Sequence, residues 1–452
     1  MKEEIFREYD IRGVYPTDIN EEVAYTIGRS YGSILQEKYG QSTCVVSHDN
    51  RLSSEPLSQN LIKGILESGC NVIDYGLSTT PMNYYARYLN NLFGIMVTAS
   101  HNPKDDNGFK FSFDHLANAR GQQIKDFKEY TLAGNFKSGH GTLQNGSLKA
   151  QYLDYMKKGI NLGPRRIRAV IDCGNGVTCS VARSIFQQFN IDYTIINEEN
   201  DGTFPNHHPD PAVKENMKQL QQAVLDYKAD IGVAYDGDGD RIGFVKNDGT
   251  LMSTEEFMII IIRDIINKVE NKTFLYDVKC SKALEDEIIK LGGTPFMYRT
   301  GASYTEAKVK EDSLAFGGEL SGHVFFRDKV ADMGSGIYAS LRMIEILSNT
   351  EKNAVQLCEG INKYYATEET KIPTSDSAKF LVVEKIKEFC KKQNFQINDI
   401  DGIRLTFKTG WVLMRASNTG PNLIFRAEAT NEADLKQLET YFNEVIDHYN
   451  DY

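Results

Sequence analysis

Gly94-Ile95-Met96-Val97-Thr98-Ala99-Ser100-His101-Asn102-Pro103 decides how this chain is read. Gly94 to Val97 reads as a short buried strand, and a polar loop follows at once, its turn fixed by Pro103. The same junction comes twice more. Ile231 to Tyr235 runs into Asp236-Gly237-Asp238-Gly239-Asp240-Arg241, and Leu314-Ala315-Phe316 runs into Gly317-Gly318-Glu319-Leu320-Ser321-Gly322-His323. In open α/β sheets ligands sit beyond the carboxyl ends of the strands, so three such loops can face one cleft.

Working outward, each junction sits in alternating strands and helices. Asn20 precedes a helical stripe over Glu21 to Leu35, with Val23, Ile27, Ile34 and Leu35 on one face. Cys44 to Val46 reads as a strand, Leu57 to Glu67 as a helix and Asn71 to Asp74 as a strand. The pattern restarts with the strand Arg168 to Asp172, the turn Gly174-Asn175-Gly176 and a helix from about Val181. It starts again with Thr273 to Tyr276 and a helix over Leu284 to Leu291. This alternation predicts α/β units with largely parallel sheets. The last stretch differs. Ile403, Leu405 and Phe407 alternate with polar residues, Val412 to Met414 and Leu423 to Phe425 flank a turn, and a helix carrying Leu435, Leu438, Phe442, Val445 and Ile446 closes the chain. That pattern predicts a small antiparallel α+β domain from about residue 367.

At about 150 residues per domain, 452 residues suggest about three domains, with room for four. The net charge of −11 argues against nucleic acid as a partner, because a broad acidic face cannot neutralise a phosphate backbone. A small anion is still admissible, since a closed cleft can hold local positive charge. Seven cysteines without a Cys-x-x-Cys pair indicate neither a disulfide framework nor a structural zinc site. The chain opens without an apolar signal region, and the run Phe257 to Ile262 is too short to cross a bilayer. A cytoplasmic protein without membrane or nucleic-acid partners is expected, as a monomer or small homo-oligomer.

Asp236, Asp238 and Asp240 alternate with glycines, so three carboxylates can converge on one hard cation, Mg²⁺ or Ca²⁺ rather than zinc. A calcium loop of the EF-hand kind wants glycine sixth and glutamate twelfth, where Arg241 and Asn247 stand. Arg241 is placed to hold an anion beside such a metal. A serine needs activation or prior phosphorylation to act as a nucleophile; alone, Ser100 reads as a helix or turn cap more readily than as a nucleophile. Its neighbour His101 is an awkward in-line base, and no Gly-x-Ser-x-Gly elbow surrounds it. Beside a metal triad the balance shifts, because a phosphoserine's charge can be offset by a divalent cation and an arginine. Arg12, before Gly13, can reach a phosphate in bidentate fashion, and Lys110 is a second cation; singly, each reads as well as a solvated side chain. Arg415-Ala416-Ser417-Asn418-Thr419-Gly420-Pro421 suits a phosphate cradle and a plain hairpin turn equally. Glu319 and Ser321 suit neighbouring sugar hydroxyls, and His323 alone reads as a structural histidine.

Taken together and in this order, the motifs resemble the α-D-phosphohexomutase family, most closely its bifunctional phosphomannomutase/phosphoglucomutase type. The likeness runs from Arg12 to Arg426 and includes Pro205-Asn206-His207-His208-Pro209-Asp210-Pro211. The resemblance implies three α/β domains of similar topology with mixed, largely parallel sheets, over residues 1–148, 149–250 and 251–366. A smaller C-terminal α+β domain, 367–452, would bind phosphate, and all four would surround a central cleft. It implies that Ser100 is a phosphoserine and that Asp236, Asp238, Asp240 and the serine's phosphate hold Mg²⁺. Arg241 would bind the reacting phosphate, with Lys110, His323 and Arg12 assisting proton transfer and charge stabilisation. Glu319, Ser321, His323 and Lys279 would contact the sugar, and Arg415, Ser417, Asn418, Thr419 and Arg426 the substrate's other phosphate end.

The implied reaction interconverts the 1- and 6-phosphates of mannose or glucose through a hexose 1,6-bisphosphate. A phosphoglucosamine mutase is the alternative within the resemblance, and a Mg²⁺-dependent sugar phosphatase one outside it. Three departures bear on specificity: Ala302 stands where many relatives carry histidine, Gly334-Ser335 replaces an acidic pair, and Leu320 stands where methionine is frequent.

Overall fold

The computed structural model describes every residue except 331, 332, 376, 418, 419, 451 and 452. Among the described residues four sheets follow one another along the chain. The first has six strands in the order Ile11–Val14, Asp106–Phe111, Gly94–Val97, Thr43–His48, Asn71–Leu77 and Leu143–Asn145. Its last four strands are mutually parallel, and Asp106–Phe111 runs antiparallel to its neighbours. The second sheet places the parallel trio Ile231–Tyr235, Arg168–Asp172 and Asp192–Ile196 beside the antiparallel strands Ile242–Lys246 and Leu251–Met252. The third has three parallel strands, Thr294–Tyr298, Thr273–Asp277 and Phe316–Gly318, then Val324–Phe326 antiparallel. The fourth is antiparallel throughout and is built on Gly410–Ala416 and Asn422–Ala429.

Each chemical loop therefore joins a parallel strand to an antiparallel return strand. Thr98 to Asp105 lies between Gly94–Val97 and Asp106–Phe111; 236–241 lies between Ile231–Tyr235 and Ile242–Lys246; 319–323 lies between Phe316–Gly318 and Val324–Phe326. The expected strand at Leu314 to Phe316 is displaced to Phe316–Gly318. Both glycines are buried there, in a position where a Cβ on Gly317 would meet Val309 at 2.7 Å. The helix at the start of the chain runs Glu21–Lys38, and the Asn20 side chain accepts from the Val23 amide as an N-cap. The closing helix is Glu432–Tyr449, capped by Asn431.

The cores do not follow the sheets one for one. The first sheet has a core around Tyr31, Phe111 and Phe127, but its Val45 and its helix Thr80–Asn90, through Met82, Tyr85 and Ala86, pack into the next core instead. The second and third sheets share a single continuous core running from Ile171 through Ile261 to Phe316 and Leu347. It holds those two sheets in fixed relation. The fourth sheet keeps its own core around Val412, Phe425 and Phe442. Among the described residues no helix is long and apolar enough to cross a membrane.

Candidate active site

A cavity of about 1310 Å³ is lined by residues from all four sheet regions, including Ser100, Asp240, Glu319 and Arg415. At its floor the serine loop meets the acidic loop. Ser100 is buried and left-handed, with φ of +53°, a conformation that costs a non-glycine residue roughly 1–2 kcal/mol. Its Oγ donates to Asp236 Oδ2 at 2.7 Å. The two backbones touch: a Cβ on Gly237 would lie 2.4 Å from the Ser100 carbonyl oxygen. Gly237 is required by that approach, and Gly239, at φ of +80°, by its backbone.

The three aspartates are buried, and one oxygen from each lies within 4.8 Å of the other two. Asp236 Oδ1 accepts from the amides of Gly239 and Arg241. Asp238 Oδ2 accepts from Thr80 Oγ1 at 2.6 Å and Lys110 Nζ at 2.8 Å; Asp240 Oδ2 accepts from Lys110 Nζ at 2.6 Å. Among the described residues Asp238 Oδ1 is buried and accepts no hydrogen bond, and Asp240 Oδ1 faces only His323 Nε2, at 3.2 Å. Three converging carboxylates, all hard donors and with Asp238 Oδ1 left open, fit a divalent cation of the Mg²⁺ type.

The electrostatics agree with that reading. Burial pushes the Asp236 carboxyl well above the ordinary range, and its two acidic neighbours add to the effect. Burial acts the same way on Asp240, but Lys110 and His323 outweigh it and hold that carboxyl well below the usual value. Lys110 is buried against its own charge, yet Asp238 and Asp240 raise its ammonium well above the ordinary range. His101 is driven well below the usual imidazole value by burial, then by Arg241 and Arg12. Its Nδ1 lies 3.2 Å from Ser100 Oγ. The left-handed turn at Ser100 thus brings together two side chains that adjacency in the sequence had set aside.

Facing this floor, the Arg12 guanidinium donates to Asp10 Oδ2 at 2.6 Å and to Asn102 Oδ1 at 2.7 Å. The Nε of Arg241 is buried without a hydrogen bond, and among the described residues its guanidinium has no carboxylate partner. His323 Nε2 lies 3.2 Å from Asp240 Oδ1, and its Nδ1 lies 3.0 Å from Ser321 Oγ. Glu319 Oε1 accepts from the Gly301 amide at 2.6 Å and from Thr305 Oγ1 at 2.9 Å, and its Oε2 faces Ser321 Oγ at 3.3 Å. Lys279 pairs with Glu369 at 2.9 Å. Arg415 Nε donates to Asp401 Oδ2 at 3.0 Å, and Arg426 lies 3.5 Å from Glu255. Ser417 lines the same cavity, whereas Asn418 and Thr419 lie outside the described residues.

Of the three departures, Ala302 begins the helix Ala302–Glu311 and lines the cavity. Gly334-Ser335 has a local role: Gly334 is left-handed at φ of +62°, and Ser335 caps the helix Gly336–Ser348 by accepting from the Tyr338 amide. Leu320 gives its backbone amide to Asp277 Oδ1 at 3.1 Å.

Several supporting residues carry no signal in the sequence. Thr80 donates to Asp238, Thr98 Oγ1 lies 3.2 Å from the same carboxylate while donating to Asp49 at 2.7 Å, and Arg51 lies beneath the serine loop. His207 Nε2 bonds Asp172 Oδ2 at 2.9 Å, and His208 Nε2 reaches the His101 carbonyl at 2.5 Å. These two place the Pro205 to Pro211 segment against the serine loop from the second sheet region.

A buried serine against a carboxylate triad, under a cleft of cations shared by four sheet regions, defines a phosphoryl-transfer type of enzyme. Comparison with known proteins makes the class specific. The chain matches four family profiles described as phosphoglucomutase/phosphomannomutase: α/β/α domain I over residues 3–138, domain II over 150–249, domain III over 253–364 and the C-terminal domain over 369–445. It is 38 % identical over 448 residues to a phosphomannomutase/phosphoglucomutase of Pseudomonas syringae, covering 98 % of this chain and 95 % of that protein. It is 34 % identical over 454 residues to a phosphoglucomutase of Neisseria gonorrhoeae, covering 98 % and 97 %. A crystal structure of a phosphoglucomutase/phosphomannomutase family protein from Burkholderia thailandensis superposes with a TM-score of 0.92 at 32 % identity, covering 100 % of this chain and 98 % of that one. The chain belongs to the phosphoglucomutase/phosphomannomutase family.

Proposed function

We propose that this enzyme interconverts hexose 1-phosphate and hexose 6-phosphate, of mannose and glucose, through a phosphorylated Ser100 and a hexose 1,6-bisphosphate. The observation that carries the reading is the 2.7 Å bond from Ser100 Oγ to Asp236, the first carboxylate of the triad, at the floor of a cleft lined with cations. Asp236, Asp238 and Asp240 would hold Mg²⁺ together with the serine's oxygen or phosphate. When bound, the ion neutralises charge on the transferring group.

In the forward half-reaction the P–Oγ bond of phosphoserine breaks as a P–O bond forms to the free sugar hydroxyl. The hydroxyl proton leaves the sugar, and Oγ gains a proton from the site. Lys110 and His323, which flank Asp240, would move those protons. Arg12 and Arg241 hold the reacting phosphate. Glu319 and Ser321 hold sugar hydroxyls, with Lys279 and His323 contacting the same ligand. Arg415, Ser417, Asn418, Thr419 and Arg426 hold the phosphate at the other end. The bisphosphate then returns its second phosphate to Ser100. Positioning and charge neutralisation supply most of such a transfer.

On this reading the chain divides at 1–148, 149–250, 251–366 and 367–452. It works in the cytoplasm on a small phosphosugar. The test is turnover of mannose 1-phosphate and glucose 1-phosphate with a trace of the 1,6-bisphosphate. The isomeric 6-phosphate should accumulate without inorganic phosphate. Net phosphate release without isomer would replace the reading by a phosphatase, and preference for glucosamine 6-phosphate would move it to a glucosamine mutase.

A further inference from the structure

Arg51 stands behind the serine loop, outside the cavity lining, with its side chain completely buried. It follows the strand Thr43–His48, the parallel neighbour of Gly94–Val97, so the sheet sets it directly under the loop that carries Ser100. Its guanidinium gathers that loop. Nη2 donates to the carbonyls of Ser100 at 2.8 Å and Asn102 at 2.7 Å; Nη1 donates to those of Pro103 at 2.5 Å and Asp106 at 3.0 Å. Asp49 sits 3.3 Å from its Nε and also accepts from Thr98 Oγ1, whose oxygen in turn accepts from the Ser100 amide at 2.9 Å. The ring of Phe204, from the second sheet region, covers the guanidinium at 5.4 Å.

We propose that Arg51 is a positioning residue for the nucleophile: by drawing three loop carbonyls and that of Asp106, the first residue of the return strand, onto one guanidinium it holds Ser100 in its left-handed turn, with Oγ on the Asp236 side. The planar fork matters, because a lysine offers a point charge and cannot span four carbonyls in fixed directions. The Ser100 carbonyl is fixed from two sides, by Arg51 Nη2 and by the backbone of Gly237. Rotation of that peptide would swing Oγ away from Asp236. Arg51 acts only through the loop, so it should set the rate of phosphate transfer and leave phosphosugar binding alone. This inference rests on the phosphoserine reading of the site.

The test is Arg51→Lys in the full-length protein. It measures kcat and KM for glucose 1-phosphate, the melting temperature, and the phosphorylation of Ser100 by glucose 1,6-bisphosphate, followed by intact mass. The inference expects KM within about twofold and kcat lower by about 10²-fold, the loss typical of a misplaced reacting group. The rate constant of phosphorylation should fall in parallel, while its final amplitude per folded molecule stays full. A purely structural role would lower the amplitude and leave the rate constant of the surviving molecules unchanged, and that result overturns the proposal. So does a kcat within about threefold of the parent. If Arg51→Lys does not fold, Phe204→Leu uncovers the guanidinium while leaving its bonds in place; the same split is then expected at about 3- to 10-fold in kcat, and an unchanged kcat counts against the proposal. Ser100→Ala run alongside separates the two readings: undiminished isomerisation there removes the phosphoserine itself, whatever Arg51 does.

Discussion

Ser100 Oγ and Asp236 Oδ2 lie 2.7 Å apart, although 136 positions separate them in the chain. The contact is held by the backbone as well as by the two side chains. Thr80 gives its amide to the Asp238 carbonyl at 2.9 Å, and Gly237 runs so near Ser100 that a Cβ there would lie 2.4 Å from the Ser100 carbonyl oxygen. A dianionic group on Ser100 would therefore sit within reach of any cation held by the triad.

The closeness at Gly237 yields a direct expectation. Gly237→Ala adds a methyl whose nearest neighbour is a backbone oxygen at 2.4 Å, which cannot rotate away as a side chain could. The two loops must part, and kcat should fall by about 10²-fold with the protein still folded. Steady-state kinetics with a circular-dichroism melt checks both halves; an unchanged kcat would mean that the approach is not needed.

Removing divalent cations should abolish isomerisation, and Mg²⁺ should restore it. Three buried carboxylates repel one another without a cation, so Mg²⁺ should also raise the melting temperature. At a hundredfold excess over its Kd the stabilisation is about 2.7 kcal/mol. Thermal melts against Mg²⁺ concentration measure this. A melt insensitive to Mg²⁺ in the parent, or one equally sensitive in Asp238→Asn, would contradict the assignment.

Arg415 is oriented by Asp401, which also accepts from the Thr300 amide at 2.9 Å, so the fourth sheet region is tied to the third at the substrate end. Arg415→Lys keeps the charge and loses the bidentate fork. KM for glucose 1-phosphate should rise by about 10-fold, with kcat changed by less than about threefold. A kcat loss with KM unchanged would place Arg415 in the chemistry instead.

The junctions of strand and polar loop were legible because buried parallel strands are short apolar runs and the loops that follow carry the chemistry. The return strands were not, for a physical reason. Asp106–Phe111 contains Asp106, Asn107, Gly108 and Lys110, polar or small residues that serve the site and hide the alternation. The strand Phe316–Gly318 is obscured by its glycines in the same way. Arg51, in Asp49-Asn50-Arg51, looks like a solvated turn, since nothing local tells that four carbonyls from residues 100 to 106 will converge on it. A neighbour in sequence rarely reaches back, yet with the positive φ at Ser100 the His101 Nδ1 lies 3.2 Å from Ser100 Oγ. The continuous core under the second and third sheets joins residues too far apart for any periodicity to reveal.

His207 offers a test by pH. Its Nε2 faces the Asp172 carboxylate at 2.9 Å and its Nδ1 faces the His208 carbonyl at 2.9 Å, so both nitrogens meet acceptors and the doubly protonated ring is satisfied. Burial disfavours that charge, but Asp172 outweighs it and raises the imidazole above its ordinary value of 6.5. A raised value means stabilisation that is complete below pH 6.5 and is lost as pH rises through the folded-state value. The stability difference between the parent and His207→Gln should therefore be larger at pH 5.5 than at pH 9, by urea titration at each pH. A difference that grows with pH would reverse the assignment.

The most direct measurement is the intact mass of the protein before and after incubation with glucose 1,6-bisphosphate and Mg²⁺, followed by peptide mapping. The account predicts a gain of one phosphate, located on Ser100, absent in Ser100→Ala and removed again by glucose 1-phosphate. A phosphate found on another residue, or a Ser100→Ala protein that isomerises as well as the parent, would contradict it.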